Sequence, residues 1–262
     1  MTQTESNFQV PKHRKRAQNT APTGRVRFPL GAAPTLAQSQ YQKIRNDIIS
    51  MALPPGTPIS ETELAAQSGV SRTPIREAIL RLARENLVEV VPKSGTFVAR
   101  IPVSALPEAL IARCALECAT ARAAAQVASR SQILELHALL ERQRELAAQG
   151  DMPNFHLADE DFHEHVAVIG GLPGLWTMIQ NIKLQVDRFR RLTLPEVGRM
   201  TMVIEEHAAV VAAIEARDTA SASASAAMEH HLTGLQLHVK SVVEAHPDYF
   251  IHDTDLNSLL HI

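Results

Sequence analysis

Aromatic residues are scarce in this chain of 262 residues, since Phe, Tyr and Trp together make up only 4% of it. A core with so few large rings must be built mainly from Ala, Leu, Val and Ile, and we expect packed helices from that mixture. Hydrophobic residues make up 45% of the chain and charged residues 21%, the proportions of an ordinary soluble globular protein. The length suits two domains better than one.

Cysteine is nearly absent as well. Cys114 and Cys118 lie four residues apart on a predicted helix, which excludes a disulfide framework and fits a reducing environment. No apolar run reaches the roughly 18 residues that a membrane helix needs, and the N-terminus lacks the apolar segment of a signal peptide. We therefore expect a cytoplasmic protein that does not bind membranes.

The positive charge is concentrated at the N-terminus. The net charge is −2, but residues 1–36 contain six Lys or Arg residues and one acidic residue, Glu5. This segment is also rich in Gln, Asn, Thr and Pro without apolar periodicity, which predicts a disordered basic arm. It is either a solvated tail or a segment that contacts DNA phosphates.

Residues 37–101 predict a winged helix-turn-helix domain. Apolar residues in 37–49 share one helical face, and the Leu-Pro-Pro-Gly run at 53–56 ends that helix. A second short helix follows over 60–69, with Ser60 in a capping box, and a third covers 71–86. Two β-rich runs within 87–98 flank a basic, glycine-containing turn and predict a hairpin.

The third helix is the candidate for DNA recognition. In a helix-turn-helix the second helix of the motif enters the major groove with its N-terminal residues first. Arginine there can bind guanine O6 and N7, while hydroxyl groups hold phosphate. The candidate contacts are Ser71, Arg72, Thr73, Pro74 and Arg76, together with Lys93, Ser94 and Gly95 at the hairpin tip. The alternative is an ordinary basic surface helix.

Residues 105–245 predict an all-helical bundle, so that the fold class is mainly α. We count six helical segments, at about 106–127, 131–149, 152–168, 173–192, 196–217 and 221–245. Ile101-Pro102 and Pro107 mark a hinge before the bundle. The tail, 246–262, has no strong period, and we expect it to be loose.

Histidines are unusually frequent, and eleven of the twelve follow residue 130. Asp159 and His163 are four apart on one helix and share a face, while His207 and His231 lie on two later helices. Three imidazoles and one carboxylate could bind Zn²⁺, Ni²⁺ or Mn²⁺. Histidines without any metal are the alternative, and the choice between His230 and His231 stays open.

Two arginines on predicted helices of the bundle are candidates for binding an acidic ligand. Arg113 and Glu117 are four apart on the first helix of the bundle, and Arg188 lies on the fourth. A guanidinium that faces a pocket can bind a carboxylate through two hydrogen bonds. The alternative for Arg113 is a surface ion pair with Glu117, which would contribute only about 0.3–0.5 kcal/mol.

The run Gly-Val-Ser-Arg-Thr-Pro-Ile-Arg-Glu-Ala-Ile-Leu-Arg-Leu at 69–82 resembles the signature of the GntR family of bacterial regulators. The Leu-Pro-Pro-Gly run at 53–56 and Gly95 in the wing match its pattern too. The Thr-Pro pair in the third helix is similar to the FadR-type branch, whose second domain is all-helical. The resemblance covers about residues 37–244.

The resemblance implies a homodimer that binds a palindromic DNA operator and responds to a small carboxylate. It also implies that Arg72, Thr73, Arg76 and Gly95 contact DNA, and that Asp159, His163 and two later histidines hold a divalent metal. We expect His231 to be the fourth ligand and not His230, because Met228 followed by His231-Leu232 resembles the family spacing better. We expect a transcription repressor and not an enzyme.

Two other interpretations remain. A metal-dependent enzyme fused to a DNA-binding module is one, because a His/carboxylate site can activate water; no general-base or nucleophile motif near these histidines supports it. The other is a nucleoid-type DNA binder with an inert helical dimerisation domain.

Overall fold

The computed structural model of the chain describes residues 34–217 and 223–255, so that most of the predicted basic arm lies outside the described residues. The helices are α1 (Leu36–Ile49), α2 (Glu61–Ser68), α3 (Arg72–Arg84), α4 (Ala105–Val127), α5 (Arg130–Gln149), α6 (Met152–Ile169), α7 (Pro173–Ile182), α8 (Leu184–Thr193), α9 (Arg199–Ala216), α10 (Ser223–Thr233) and α11 (Val239–Ala245). The strands are β1 (Val88–Val91), β2 (Gly95–Val98), β3 (Ile101–Pro102) and β4 (Phe250–Ile251). The mainly α fold class, with a small hairpin before a helical bundle, is confirmed.

The first three helices and the hairpin form the predicted winged helix-turn-helix domain. Ser60 accepts a hydrogen bond from the backbone N–H of Glu63 at 3.2 Å and so caps α2. Gly69 ends α2 with φ of 64°, a left-handed conformation that allows the tight turn into α3. β1 and β2 pair antiparallel, with Val91 opposite Gly95 at the turn. One apolar cluster from α1, α3 and the hairpin forms the core of this domain.

The larger domain packs α4, α5, α6, α9 and α10 around a second apolar core. Small side chains on α4, among them Ala121 and Ala124, let neighbouring helices approach closely. Gly170 at the end of α6 is one point of close approach, because a Cβ there would lie 2.9 Å from the carbonyl oxygen of Thr120. The core therefore consists of small aliphatic side chains with few rings, as the composition predicts.

Two of the predicted long helices are interrupted. The run 173–192 divides at Lys183, whose φ of −80° and ψ of 2° depart from helical geometry, into α7 and α8. The run 221–245 divides into α10, a 3-10 turn over Gly234–His238, and α11. The prediction of one continuous helix in each of these regions is wrong. Apolar periodicity does not register a local break of this kind, because the flanking residues keep the same inward face.

The expectation of a loose C-terminal tail is wrong for residues 246–255. Phe250 and Ile251 form β4, which pairs in parallel with β3 at the junction of the two domains. Asp253 accepts hydrogen bonds from the backbone N–H and the hydroxyl of Ser104, at 3.0 and 2.6 Å. Ile101-Pro102 is therefore part of a paired strand as well as a connection, and residues 256–262 lie outside the described residues.

None of the helices in the described ranges is long and apolar enough to cross a membrane.

The buried ring of Phe250 gives a test of this C-terminal pairing. Phe250 is 2% exposed and packs in the cluster that joins β3, α4, α8 and α11, whereas its neighbour Ile251 is 43% exposed. We expect Phe250→Ala to lower the free energy of unfolding by about 3–5 kcal/mol, because it leaves a cavity in that cluster. The control Ile251→Ala should change it by about 0.5 kcal/mol or less. Equal effects of the two substitutions in urea unfolding would contradict the pairing.

Candidate metal centre and nucleic-acid interface

Asp159, His163, His207 and His231 come together inside the helical domain. Asp159 and His163 lie on α6, His207 on α9 and His231 on α10, and all four are buried. Each offers one ligand atom, and these atoms lie within 4.8 Å of one another. His230 is on the exposed side of α10, so that the structure places His231, not His230, in the group.

Each of the three imidazoles has its Nδ1 directed at an acceptor away from the centre. His207 Nδ1 donates to the side-chain oxygen of Gln143 at 2.9 Å, and His231 Nδ1 donates to Glu206 at 2.7 Å. His163 Nδ1 contacts the carboxylate of Glu117. In His207 and His231, holding Nδ1–H in this way fixes the tautomer and turns Nε2 toward the centre, as in many protein metal sites.

The orientation of Gln143 is fixed by a second hydrogen bond. Its amide nitrogen donates to the carbonyl oxygen of Ala158 at 3.1 Å, so that its oxygen must face His207. His207 therefore carries its proton on Nδ1 when it is neutral.

As a result, two nitrogen lone pairs face each other. His207 Nε2 and His231 Nε2 are 3.2 Å apart, and both rings have their protons on Nδ1. Asp159 Oδ2 and His163 Nε2, which lie 3.9 Å apart beside them, have no hydrogen-bond partner among the residues that the structure describes. Buried polar atoms without partners cost free energy. A cation among these four atoms would remove that cost, so the residues fit a divalent metal ion.

The protonation states support the same conclusion. Burial, together with the neighbouring imidazoles, holds the pKa values of His207 and His231 well below the ordinary value, so both rings are neutral at pH 7. Burial alone would raise the pKa of Asp159, but the guanidinium of Arg190 outweighs it and holds that pKa well below its usual range. Neutral imidazole and ionised carboxylate are the forms that bind metal.

A narrow pocket adjoins this centre and is rich in arginine. It is lined by Arg113, Arg190, Thr193, Leu194, Arg199, Val203, His231, Leu232 and Leu235. Its free volume is about 10 Å³, close to the space that one water molecule needs. Any larger ligand would have to displace side chains.

The structure places the two predicted ligand-binding arginines differently. Arg113 lines the pocket and forms a buried ion pair with Glu117, Nε to Oε1 at 2.5 Å, so that the alternative of a surface pair is excluded. Arg188 does not line it, because its guanidinium donates to the carbonyl oxygen of Ala99. Arg190 and Arg199, which the sequence analysis missed, occupy the pocket instead. Arg190 is two residues from Arg188. Apolar periodicity could not show that Arg190 faces the pocket, because it did not reveal the break at Lys183.

A second group of possible ligands, His156, Glu160 and Asp187, lies near the centre. The ammonium of Lys183 contacts Asp187 at 2.6 Å and also contacts Glu160. The ammonium of Lys183 already occupies the place that a metal ion would take between these carboxylates. We therefore assign the group to the ion-pair network around α8 and not to a metal site.

The predicted DNA-contacting residues are exposed at one end of the winged domain. Arg72, Thr73 and Arg76 are exposed in the first turns of α3. Arg72 forms an exposed ion pair with Glu61 at 3.2 Å, and such a pair costs little to break. Ser71 begins α3, and Pro74 in its first turn needs no intrahelical hydrogen bond.

The hairpin tip is also free to approach a ligand. Lys93, Ser94 and Gly95 are exposed, and the turn places Lys93 and Gly95 at positive φ, 65° and 132°. Glycine tolerates that conformation without strain, and its lack of a side chain lets the backbone come close to a partner.

Comparisons with known proteins agree with this two-domain architecture. The model of the bacterial regulatory proteins of the gntR family matches residues 36–98, and the FCD domain model matches residues 108–234. The HTH-type transcriptional repressor RspR of Escherichia coli K12 is 32% identical over 213 residues, which cover 81% of this chain and 92% of that protein. The HTH-type transcriptional regulator YdfH of E. coli O6:H1, named as uncharacterized, is 31% identical over 86% of this chain and 98% of its own length.

The solved structure of E. coli McbR/YncC has the same fold. It aligns with a TM-score of 0.66 and 23% identity, covering 81% of this chain and 99% of that one. The matched models and relatives are those of transcription regulators.

The adjacent histidines of α10 give a matched test of the metal centre. We expect His231→Gln to weaken Zn²⁺ binding by at least about 10-fold, because it removes one imidazole from a four-residue site. The control His230→Gln, which changes an exposed ring, should leave the affinity unchanged. Isothermal titration of protein first stripped with EDTA measures both. Equal Zn²⁺ affinity in the two variants would contradict the site.

Proposed function

This chain belongs to the GntR family of bacterial transcription regulators, in the group with an FCD domain, and on that premise we propose that a divalent metal in its helical domain controls DNA binding through a small carboxylate. The observation that carries the proposal is the 3.2 Å approach of His207 Nε2 to His231 Nε2, with both protons held on Nδ1. Such a contact in a buried site calls for a cation.

The winged domain supports binding to double-stranded DNA. Arg72 and Arg76 at the start of α3 would enter the major groove, while Lys93 and Gly95 at the wing would lie along the backbone or minor groove. We infer that the protein acts as a homodimer on a palindromic operator, because a two-fold dimer presents two such helices about one helical turn of DNA apart. Repression is the expected outcome.

Charge in the helical domain supports an anionic effector. The guanidinium groups of Arg113, Arg190 and Arg199 line the pocket beside the centre. A divalent ion would add two positive charges, so that five positive charges would face the four negative charges of Asp159, Glu117, Glu206 and Glu160. The resulting positive surplus in a buried site favours a carboxylate ligand.

The four proposed ligands are Asp159, His163, His207 and His231, and Zn²⁺, Ni²⁺ and Mn²⁺ fit their donor atoms. A divalent ion with four protein ligands can keep coordination positions open for a carboxylate or water. Arg113 would bind that carboxylate together with Arg190, which takes the role first predicted for Arg188. Gln143, Glu206 and Glu117 hold the imidazoles in the orientation that metal binding requires.

The arginines of α3 test the DNA-binding face. We expect Arg72→Ala and Arg76→Ala each to weaken binding to the operator by about 5-fold to 150-fold and to relax its base preference, which corresponds to the loss of about 1–3 kcal/mol per bidentate contact. The operator is first located by footprinting the DNA that flanks the gene. Arg142→Ala, which changes an exposed arginine of α5, is the control. No protected palindrome at moderate salt, or unchanged affinity in both variants, would contradict this assignment.

A thermal-shift screen tests the sensing role. We expect one or more small carboxylates to raise the melting temperature of the Zn²⁺-, Ni²⁺- or Mn²⁺-loaded protein in a concentration-dependent way, because a ligand that binds only the folded state stabilises it by mass action. His163→Ala should abolish the shift, while His165→Ala, a change two residues away on the same helix, should retain it. A shift that survives both EDTA treatment and His163→Ala would rule out sensing through the metal.

A further inference from the structure

Helix α8 is a polar helix in an interior position. Seven of its ten residues are buried, and three of the seven are charged, namely Asp187, Arg188 and Arg190. Burying a charge is costly unless the charge is paired or hydrogen-bonded. The partners of these side chains therefore show which parts of the protein α8 connects.

One side of α8 reaches the metal centre. The Nη2 of Arg190 donates to Asp159 Oδ1 at 2.6 Å, and its Nη1 lies 3.6 Å from Glu160. Arg190 also lines the pocket that contains His231. The guanidinium of Arg190 is thus shared between a proposed metal ligand and the space that an effector would enter.

The opposite side of α8 holds the winged domain. The side chain of Gln185 donates to the carbonyl oxygen of Asn86 at 3.2 Å, and Arg188 Nη2 donates to the carbonyl oxygen of Ala99 at 2.5 Å. Arg188 Nη1 donates in turn to the side-chain oxygen of Gln185 at 2.9 Å. Asn86 precedes the first strand of the wing and Ala99 follows the second, so that α8 holds both ends of the hairpin.

Arg188 makes these contacts at a cost in stability. It is fully buried, burial lowers its pKa to about 10, and within the described residues no carboxylate forms an ion pair with it. Its hydrogen bonds to the described residues go to uncharged oxygens, those of Gln185 and Ala99. A buried guanidinium without a counter-ion is less stable than an apolar side chain of the same volume. Positioning of the winged domain is a function that would account for it.

The two sides of α8 are rigidly joined. Arg188 and Arg190 are two residues apart and therefore project about 200° apart around the helix. Between them, Phe189 packs with Val186 in the apolar cluster of β3, α4, α11 and β4. A displacement of Arg190 is therefore transmitted to Arg188 through about half a turn of packed helix.

We propose that α8 couples the metal centre to the winged domain, with Gln185 and Arg188 as positioning residues and Arg190 as the group that senses the centre. This inference rests on the proposed function. A metal ion at the centre would compete with Arg190 for Asp159, and a carboxylate beside the ion would compete with Asp159 for the guanidinium of Arg190. When Arg190 moves, α8 moves with it and changes the position of Asn86 and Ala99, and hence of the hairpin and α3.

The coupling can be measured from both directions. We expect Zn²⁺ to change the operator affinity of the EDTA-treated wild-type protein by about 5-fold to 150-fold, and operator DNA to change the Zn²⁺ affinity by the same factor, because linkage is reciprocal. In Arg188→Met both factors should fall below about 2, while the Zn²⁺ affinity without DNA stays at the wild-type value. A substitution that merely weakened the fold would lower both affinities and leave their ratio unchanged.

Two further variants complete the test. Gln185→Ala removes the hydrogen bond to Asn86 and should also reduce the coupling factor. This variant decides the outcome if thermal unfolding shows that Arg188→Met does not fold. Arg142→Met makes the same chemical change at an exposed position of α5 and should keep wild-type coupling. If the wild-type protein binds no metal, the proposed function itself fails. If it binds metal and operator but shows no coupling, or if Arg188→Met and Gln185→Ala both keep full coupling, the role of α8 alone is overturned.

Discussion

In the interior of the helical domain, two imidazole nitrogens, His207 Nε2 and His231 Nε2, lie 3.2 Å apart. Their protons are committed to Gln143 and Glu206, so neither ring can donate to the other while both are neutral. These contacts tie α5, α9 and α10 together around a point that a bound cation would satisfy. The proposed metal is therefore as much a part of the bundle's packing as of its sensing.

The same centre is connected to the DNA-binding face through charged side chains in the interior. Asp159 is shared with Arg190, and Arg190 lies on the helix whose other side supports the hairpin through Arg188 and Gln185. Buried ion pairs are weak stabilisers, but they fix relative position well. A regulator needs a defined relation between its two domains more than it needs additional stability, and the polar composition of α8 fits that need.

Short-range sequence patterns predicted the helices, caps and turns that depend on neighbouring residues. The order of helices and hairpin in the winged domain, the capping Ser60 and the left-handed Gly69 all follow from short-range rules. The spacing of Asp159 and His163 placed both on one face of α6, and His207 and His231 on two later helices completed the candidate site. The family resemblance supported this site and favoured His231 over His230. What the sequence could not supply were contacts between distant segments. The pairing of Phe250 with Ile101 and the choice of Arg190 over Arg188 depend on packing and on a helix break that periodicity does not encode.

X-ray absorption at the metal edge of the purified protein reports a bound ion and its ligand atoms independently of DNA binding. We expect one divalent ion per chain, coordinated by three imidazole nitrogens and at least one carboxylate oxygen, and the imidazole signal should diminish in His207→Gln. A protein that holds no ion after incubation with Zn²⁺, Ni²⁺ or Mn²⁺, or an ion whose shell lacks imidazole, would contradict it.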